Sequence, residues 1–497
     1  MQAGKMQAMQ ESAPSRAFAR QQVKERVMHQ STRTVNVGLI GLGTVGGGVF
    51  QLIESHAEKY RRAYGIDLRI ARACGLDESR ARELGVTAEQ FTTDWRDVVS
   101  DPRIDIVVEV IGGEHPATEI FTEAFAAGKH VVSANKALLG RHMAELAGAA
   151  SAAGVQLRCE ASCGGGIPIV GTLEHDLTGN NILAIAGIVN GTTNYILSRM
   201  TTEGLGYEEV LADAQRLGYA EADPTADVDG FDAASKIAIL SSIGFTTRIT
   251  TDDVYMQGIR KISAEDIEVA RELGYAIKML AIGRRTDEGV DIRVHPAMIP
   301  ASHPLAGVNG AMNAVYVVGD AVGETMFYGA GAGAFPTASA IVGDVMNLAE
   351  DISAGVKPLP EPAPFARELP IRNVADLETR YYVRLTADGT DGVATGATEV
   401  QINTASLSNA SSRVRTDRLR CSPTPAVRET CSPRLGRSLA PLRPSRWPTS
   451  SASRTLPIGP KASRRISTAF TLRLLLRMSL LSLLSFGNPQ ISCGYEA

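Results

Sequence analysis

The six cysteines of this 497-residue chain, Cys74, Cys159, Cys163, Cys421, Cys431 and Cys493, lack the paired spacing of a disulfide scaffold or a zinc site. That excludes a cross-linked secreted framework and makes a reducing cytoplasm the simplest compartment. No secretory leader is expected in the first residues of the sequence. Met1 to Ser31 is polar and mixed in charge, without the apolar core of a secretory leader, and is expected to be a disordered extension. Ala469–Phe486 is leucine-rich, but Arg473 and Arg477 interrupt it and argue against a membrane span. Positive charge is scarce where a nucleic-acid binder would need it. Residues 403–497 hold 14 Arg and one Lys against three acids, a net of +12; the remainder carries −16, and the two give the −4 of the whole chain. The main body is acidic, so neither nucleic acid nor membrane is an expected partner.

What the chain does have is length for two or three domains and 48 glycines, many of them where chemistry is decided. Thr34–Ile40 is a short β-branched run leading directly into GLGTVGGGVF. Gly41, Gly43 and Gly46 fit G-x-G-x-x-G with a strand before and a helix (Val45–Arg62) after. The first glycine suits the tight turn, the second the approach of a pyrophosphate, the third the packing of helix on strand. Thr44 and Val45 open that helix, whose N-terminus favours the anion. The next strand, Asp67–Leu76, ends at Asp77, where a carboxylate would hold an adenosine ribose. Arg80 and Arg82 follow and are placed for a 2′-phosphate instead, so NAD and NADP both stay open. Strands at Ile104–Ile111 and His130–Ser133, with a helix at Ala117–Ala127 between them, continue the alternation of a doubly wound parallel sheet of Rossmann type. Lys136 stands just past the last of these strand ends, where ligands bind. A surface lysine is the plain alternative.

A strand at Val155–Cys159 runs into Glu160-Ala161-Ser162-Cys163-Gly164-Gly165-Gly166-Ile167. Three uses compete for this turn. Cys163 has the look of a nucleophile, with His175 as a distant base. The glycine-rich carbonyls with Glu160 suit a hard cation. Close backbone packing needs neither. Farther on, Gly329-Ala330-Gly331-Ala332-Gly333 opens a helix at Thr337–Asp351, and again phosphate, nicotinamide or tight packing would each explain it.

Gly218–Leu240 organises the second half. Its first part is an acidic, turn-rich loop with Glu221, Asp223, Asp227 and Asp229 around Pro224. From Asp232 the residues fall at helical spacing, with Asp229 or Asp232 placed to cap the helix. Asp232 and Lys236, four residues apart, share a face. A solvated helix start with one surface ion pair is the bland reading. Against it stands the run Ile237–Leu240, which marks the helix as mostly buried, and a lysine there needs a carboxylate or a task.

The motifs GLGTVG, VVSANKALL, EASCGGGIPI, NGTTNYIL, LGYAEADPTADVDGFDAASKIAIL and GAGAGAFPTASAIVGD occur in this order between Val35 and Asp351. Together they resemble homoserine dehydrogenase, in the monofunctional bacterial form without an aspartate kinase. The resemblance implies reversible hydride transfer between the C4 hydroxyl of L-homoserine and NAD or NADP, giving L-aspartate 4-semialdehyde. It implies Lys236 as acid/base, Lys136 beside cofactor and substrate, and Glu221 and Asp232 as carboxylates holding homoserine. Gly218 and Gly333 would lie against the nicotinamide end. Glu160, with the carbonyls of Cys163, Gly165 and Ile167, matches the family's sodium site. A homodimer or homotetramer in the cytoplasm is also implied. Another semialdehyde dehydrogenase is the alternative among enzymes, and an inactive nucleotide-sensing regulator the alternative outside them.

The expected organisation follows. Residues 1–33 are an extension, 34–157 the dinucleotide-binding domain, and 158–332 an α+β substrate and dimerisation domain. Residues 333–357 are a helix returning to the nucleotide domain, and 358–379 a linker. Over 380–497 the ACT-like start Arg380–Leu385 gives way to an Arg/Ser/Pro-rich tail, expected to be disordered. Two departures from the family matter. Leu76 stands where members often carry an arginine that favours NADP. After about Thr386 the periodicity is lost and acids nearly vanish. A shifted reading frame and a basic, anion-binding arm both account for that tail, and either puts regulation by threonine in doubt.

Overall fold

The computed structural model describes residues 32–356, 365, 368–377, 379–388, 415–422 and 469–477. It divides into two compact units, Met1–Val374 and Ala375–Ala497. In the first, β1 (Arg33–Ile40) turns through the glycine motif into α1 (Thr44–Tyr64), and β2 (Ile66–Cys74) leads to α2 (Glu78–Leu84). Then follow β3 (Phe91–Thr92), α3 (Arg96–Val99), β4 (Ile106–Glu109), α4 (Ala117–Ala126), β5 (His130–Ser133), α5 (Lys136–Ala153) and β6 (Leu157–Arg158). The strands form one parallel sheet in the order β3-β2-β1-β4-β5-β6. Covered on both faces, its strands are near-continuous apolar runs, as in IVVE of β4, all four buried. Every strand ends on the same edge, so the glycine turn after β1 and Lys136 after β5 come out together.

The second half opens with β7 (Ile182–Ile188), α6 (Gly191–Glu203), α7 (Tyr207–Arg216), a single turn α8 (Thr225–Val228) and α9 (Phe231–Phe245). Next come β8 (Tyr255–Met256), α10 (Ala264–Glu272), β9 (Tyr275–Thr286), β10 (Gly289–Pro300), β11 (Met312–Gly319) and β12 (Gly323–Ala330). They make a mixed sheet, β12-β11-β7-β9-β10-β8, antiparallel except where β8 joins β10. α11 (Ala334–Ala354) returns to lie against α1 and the first sheet, with Ile341, Val345 and Leu348 fully buried beside Val49 and Ile53.

α9 is apolar nearly all round because it sits in the core that joins the two sheets. Ile237, Ile239, Leu240 and Phe245 are all 0% exposed. Each such burial is worth about 1.5–3 kcal/mol. The helix that carries Lys236 is therefore a fixed mount. Its N-cap is Gly230 at φ 100, not an aspartate. Asp229 instead pairs with Arg260 (2.7 Å), and Asp232 faces inward to the lysines, so neither carboxylate caps the helix.

The segment expected as linker is partly tied down. Leu369 donates its N–H to Thr247 Oγ1, the amides of Val290 and Arg372 bond to Pro370 and Val290 carbonyls, and Arg372 reaches Asp291 at 3.2 Å. In the second unit β13 (Tyr381–Asp388), β14 (Arg415–Ser422) and β15 (Ala469–Arg477) form an antiparallel sheet in the order β13-β15-β14. The rest of the tail, and the extension over 1–31, lie outside the described residues. No described helix is long and apolar enough to cross a membrane.

Candidate active site

The glycine turn is built by backbone crowding. A Cβ on Gly46 would stand 1.8 Å from the Gly41 carbonyl oxygen, and one on Gly41 (φ +109) would press on the Val110 backbone. Above Gly43 there is nothing within 4 Å, and Gly43 and Thr44 are exposed at the start of α1. The turn thus closes against β4 and opens outward, offering the free N–H groups of a 21-residue helix to an anion. Asp77 caps α2: its Oδ1 accepts from the amides of Ser79 and Arg80 and from the Ser79 hydroxyl, while Oδ2 makes no bond to a described residue. Arg80 and Arg82 pair with Glu83 and Glu78 on the same helix. Leu76 is 95% exposed.

At the end of β4, Glu109 is completely buried. Its Oε1 accepts the amides of Ile111 and Gly112, and its Oε2 accepts the Ser133 hydroxyl at 2.7 Å. Ser133 Oγ in turn accepts the Asn135 amide, and Asn135 caps α5 through the Leu138 amide. Lys136 is thereby fixed at the first residue of α5.

Lys136 then meets the second half of the molecule. Its Nζ lies 2.8 Å from Asp232 Oδ1, and Lys236 Nζ lies 2.7 Å from Asp232 Oδ2, in a pocket where the Asp232 and Lys236 side chains are 8% and 9% exposed. Lys236 also donates to the Val189 carbonyl at 2.7 Å, leaving one of its three N–H bonds for a ligand. Burial alone would raise the Asp232 carboxyl, but the charges of Lys236 and Lys136 and their hydrogen bonds overcome it and hold the group well below the usual carboxylate range. Asp232 in turn raises Lys136 above the ordinary lysine value.

Two supporting groups, one in this cluster and one beneath Lys136, were not singled out by the sequence reading. Asn190 donates Nδ2–H to Asp232 Oδ2 (2.9 Å) and to Asp227 Oδ1 (2.7 Å). Its signal was an asparagine ahead of Gly-Thr-Thr, a helix N-cap pattern. Glu109 was visible only as an acid inside an apolar strand. Glu221 stays apart: its carboxylate contacts no other described residue, and Gln215 holds the loop through the Glu221 carbonyl. Gly218 (φ +79) ends the turn after α7, and Gly333 (φ +118) is the N-cap of α11.

The Glu160–Ile167 turn is not a nucleophile site. Cys163 is fully buried, burial pushes its thiol up to about 12, and Sγ–H points to the Lys236 carbonyl at 3.6 Å. His175 bonds to Arg158. Glu160 does not offer its side chain to a cation either: Oε1 accepts the amides of Ile169 and Val170, Oε2 that of Gly171. The carbonyls of Cys163, Gly165 and Ile167 accept no loop hydrogen bond among the described residues. Gly165 packs on Gly331, and behind Gly331 the buried Asn313 carboxamide has no partner among the described residues at either polar atom. A small oxygen-seeking cation fits such a surface through main-chain oxygens.

Profiles of known families match the chain over both halves: "Homoserine dehydrogenase, NAD binding domain" at residues 41–160 and "Homoserine dehydrogenase" at 168–346. The homoserine dehydrogenase of Synechocystis is 46% identical over 368 residues, 72% of this chain and 84% of that protein. That of Corynebacterium glutamicum is 47% identical over 364 residues, 72% and 81% of the two chains. The chain belongs to the homoserine dehydrogenase family. Among solved structures, the homoserine dehydrogenase of Thiobacillus denitrificans superposes with a TM-score of 0.75 at 39% identity, covering 91% of this chain and 93% of that one. A hyperthermophilic archaeal homoserine dehydrogenase mutant in complex with NADPH superposes at 0.55 and 26% identity, over 63% and 97%. As a homoserine dehydrogenase the chain oxidises L-homoserine reversibly to L-aspartate 4-semialdehyde, with a nicotinamide nucleotide bound to its first domain. The cluster around Asp232 lies where the two matched segments meet.

Proposed function

We propose that Lys236 takes the C4 hydroxyl proton of homoserine and returns it in the reverse direction. The observation that carries this role is a buried lysine whose carboxylate partner is shared with a second lysine at the nucleotide edge. The nicotinamide ring, when bound, supplies the hydride acceptor. The proton must leave the hydroxyl as the carbonyl forms, and Lys236 Nζ, held by Asp232 and the Val189 carbonyl, is aimed to accept it once its own third proton has been released. Lys136 adds positive charge beside the alkoxide that develops, and Asp232 keeps the two nitrogens in fixed relation. Glu221, unengaged on its exposed loop, serves the substrate ammonium.

Gly41, Gly43, Thr44, Val45 and Gly46 cradle the pyrophosphate, and Asp77 meets the ribose through its free Oδ2. Gly218 and Gly333 border the nicotinamide end. We read NAD as used at least as readily as NADP: Leu76 offers no charge to a 2′-phosphate, and Arg80 and Arg82 are already paired. Sodium, held by the carbonyls of Cys163, Gly165 and Ile167 in the turn that the Glu160 carboxylate anchors, would brace that turn under Lys236 without entering the reaction. The exposed Met326 and Tyr328 on the edge strand β12 support a homodimer or homotetramer, and the unpaired cysteines a cytoplasmic setting. Domain limits at 34–157 and 158–332 are supported to within a residue by the two sheets, since β1 starts at Arg33 and β6 ends at Arg158.

A spectrophotometric assay with homoserine and either nucleotide tests the roles. Lys236→Ala should lower kcat by about 10³-fold or more while nucleotide affinity changes less than about twofold. Near-normal turnover by that variant would remove Lys236 from the acid/base role.

A further inference from the structure

The lysine–aspartate–lysine arrangement is not held by its own charges alone. Asp232 spreads three donors over two oxygens, with Oδ1 given to Lys136 and Oδ2 shared between Lys236 and Asn190. A carboxylate bonded only to the two ammoniums would be free to turn about its last torsion and follow Lys136, whose side chain is 47% exposed while that of Lys236 is buried. A second carboxylate, Asp227 from α8, stands beside it. Two like charges so placed repel each other unless something that donates to both lies between them.

Asn190 is that something. It is 5% exposed and occupies the N-cap of α6. Its Oδ1 accepts the Thr193 amide at 2.8 Å and the Thr193 hydroxyl at 2.9 Å, so both lone pairs are used. Both Nδ2 hydrogens go to carboxylates, one to Asp227 and one to Asp232. The orientation of the amide follows from these partners, since turning it over would aim an oxygen at two anions and an NH₂ at an amide N–H. The residue just before it, Val189, supplies the carbonyl that holds Lys236. One short stretch of chain therefore fixes the proton-carrying amine and its carboxylate at once.

We infer that Asn190 is the positioning residue of this active site: its carboxamide ties Asp227 and Asp232 to each other and to the N-terminus of α6, so that Asp232 Oδ2 stays aimed at Lys236. The inference rests on the acid/base role given to Lys236. It separates cleanly from a purely structural role, because helix capping and carboxylate bridging ask for different chemistry. Ser, Asp and Asn cap helices about equally well. Only Asn offers two N–H donors.

Two variants exploit that difference. Asn190→Ser keeps a cap and removes the bridge; Asn190→Asp keeps cap and size but turns the donors into a third carboxylate. In Asn190→Ser the thermal midpoint and nucleotide Kd should stay near those of the unmodified enzyme, kcat should fall by roughly 10- to 100-fold, and the isotope effect on kcat with C4-deuterated homoserine should rise as hydride transfer becomes limiting. Asn190→Asp should lose more, about 10³-fold. An unchanged thermal midpoint, together with an unchanged nucleotide Kd, certifies the fold of each variant. Wild-type kcat and isotope effect in Asn190→Ser, with Lys236→Ala inactive, would overturn this inference alone. Full activity in Lys236→Ala would overturn the reading beneath it.

Discussion

The nucleotide end of the site is shaped by side chains that are missing, the substrate end by charged side chains that hold one another. At Gly41, Gly43 and Gly46 the backbone comes within contact distance of itself on one side and leaves open space on the other. At Asp232 the reverse holds: two lysines, a carboxamide and a second carboxylate converge from α5, α6, α8 and α9, with Asp232, Lys236 and Asn190 buried at the centre. The first region tolerates solvent and depends on shape. The second depends on charge balance in a poorly solvated pocket, where losing one member leaves the others uncompensated.

The sharpest way to break this contrast is Asp232→Ala. It strands Lys236 in a pocket without a carboxylate at contact distance, and should lower kcat/KM by about 10³- to 10⁴-fold and stability by about 3–5 kcal/mol. Steady-state kinetics and urea unfolding would read both. A second buried lysine sharpens the point within the same half. Lys278, 3% exposed, bonds only to neutral oxygens of Asn194, Val308 and Asn309, and burial lowers it to about 8. Its folded-state value lies below the unfolded one, so its burial costs nothing above about pH 10.5, and stability is lost progressively as pH falls from there to about 8. Stability of the unmodified protein relative to Lys278→Gln should therefore rise by about 3 kcal/mol from pH 8 to 10.5, as measured by unfolding at several pH values. A flat difference would mean that the neutral oxygens fully replace hydration.

The glycine turn should answer differently at its two faces. Gly46→Ala drives a methyl group into the Gly41 carbonyl and should cost about 1–3 kcal/mol of stability together with nucleotide binding. Gly43→Ala meets no protein atom, so its thermal midpoint should hold while nucleotide affinity drops by roughly tenfold. Equal behaviour of the two would erase the distinction between packing glycine and ligand glycine.

The same contrast explains what could be read before any coordinates. The glycine turn, the parallel sheet and the buried Lys236 helix are local patterns, carried by spacing within a few residues. The Asp232–Lys236 pair was visible for that reason, being one helical turn apart. Lys136, 96 positions before Asp232, was placed beside cofactor and substrate only by the family resemblance; its ion pair with Asp232 and the bridge through Asn190 were not legible, since tertiary packing alone brings α5, α6, α8 and α9 together. The aspartate cap expected on α9 failed for a physical cause: Asp232 is claimed by two lysines and Asp229 by Arg260. Glu160 was legible as important but not in kind, because the amides that surround its carboxylate come from the next loop turn.

The most direct test of Lys236 as the proton carrier is the single-turnover rate of hydride transfer in a preformed complex of enzyme, nucleotide and homoserine. Nucleotide reduction is followed after rapid mixing of Lys236→Ala alongside the unmodified chain. The predicted result is a rate lower by about 10³-fold with the nucleotide still bound. A rate within a few fold of the unmodified enzyme would contradict it.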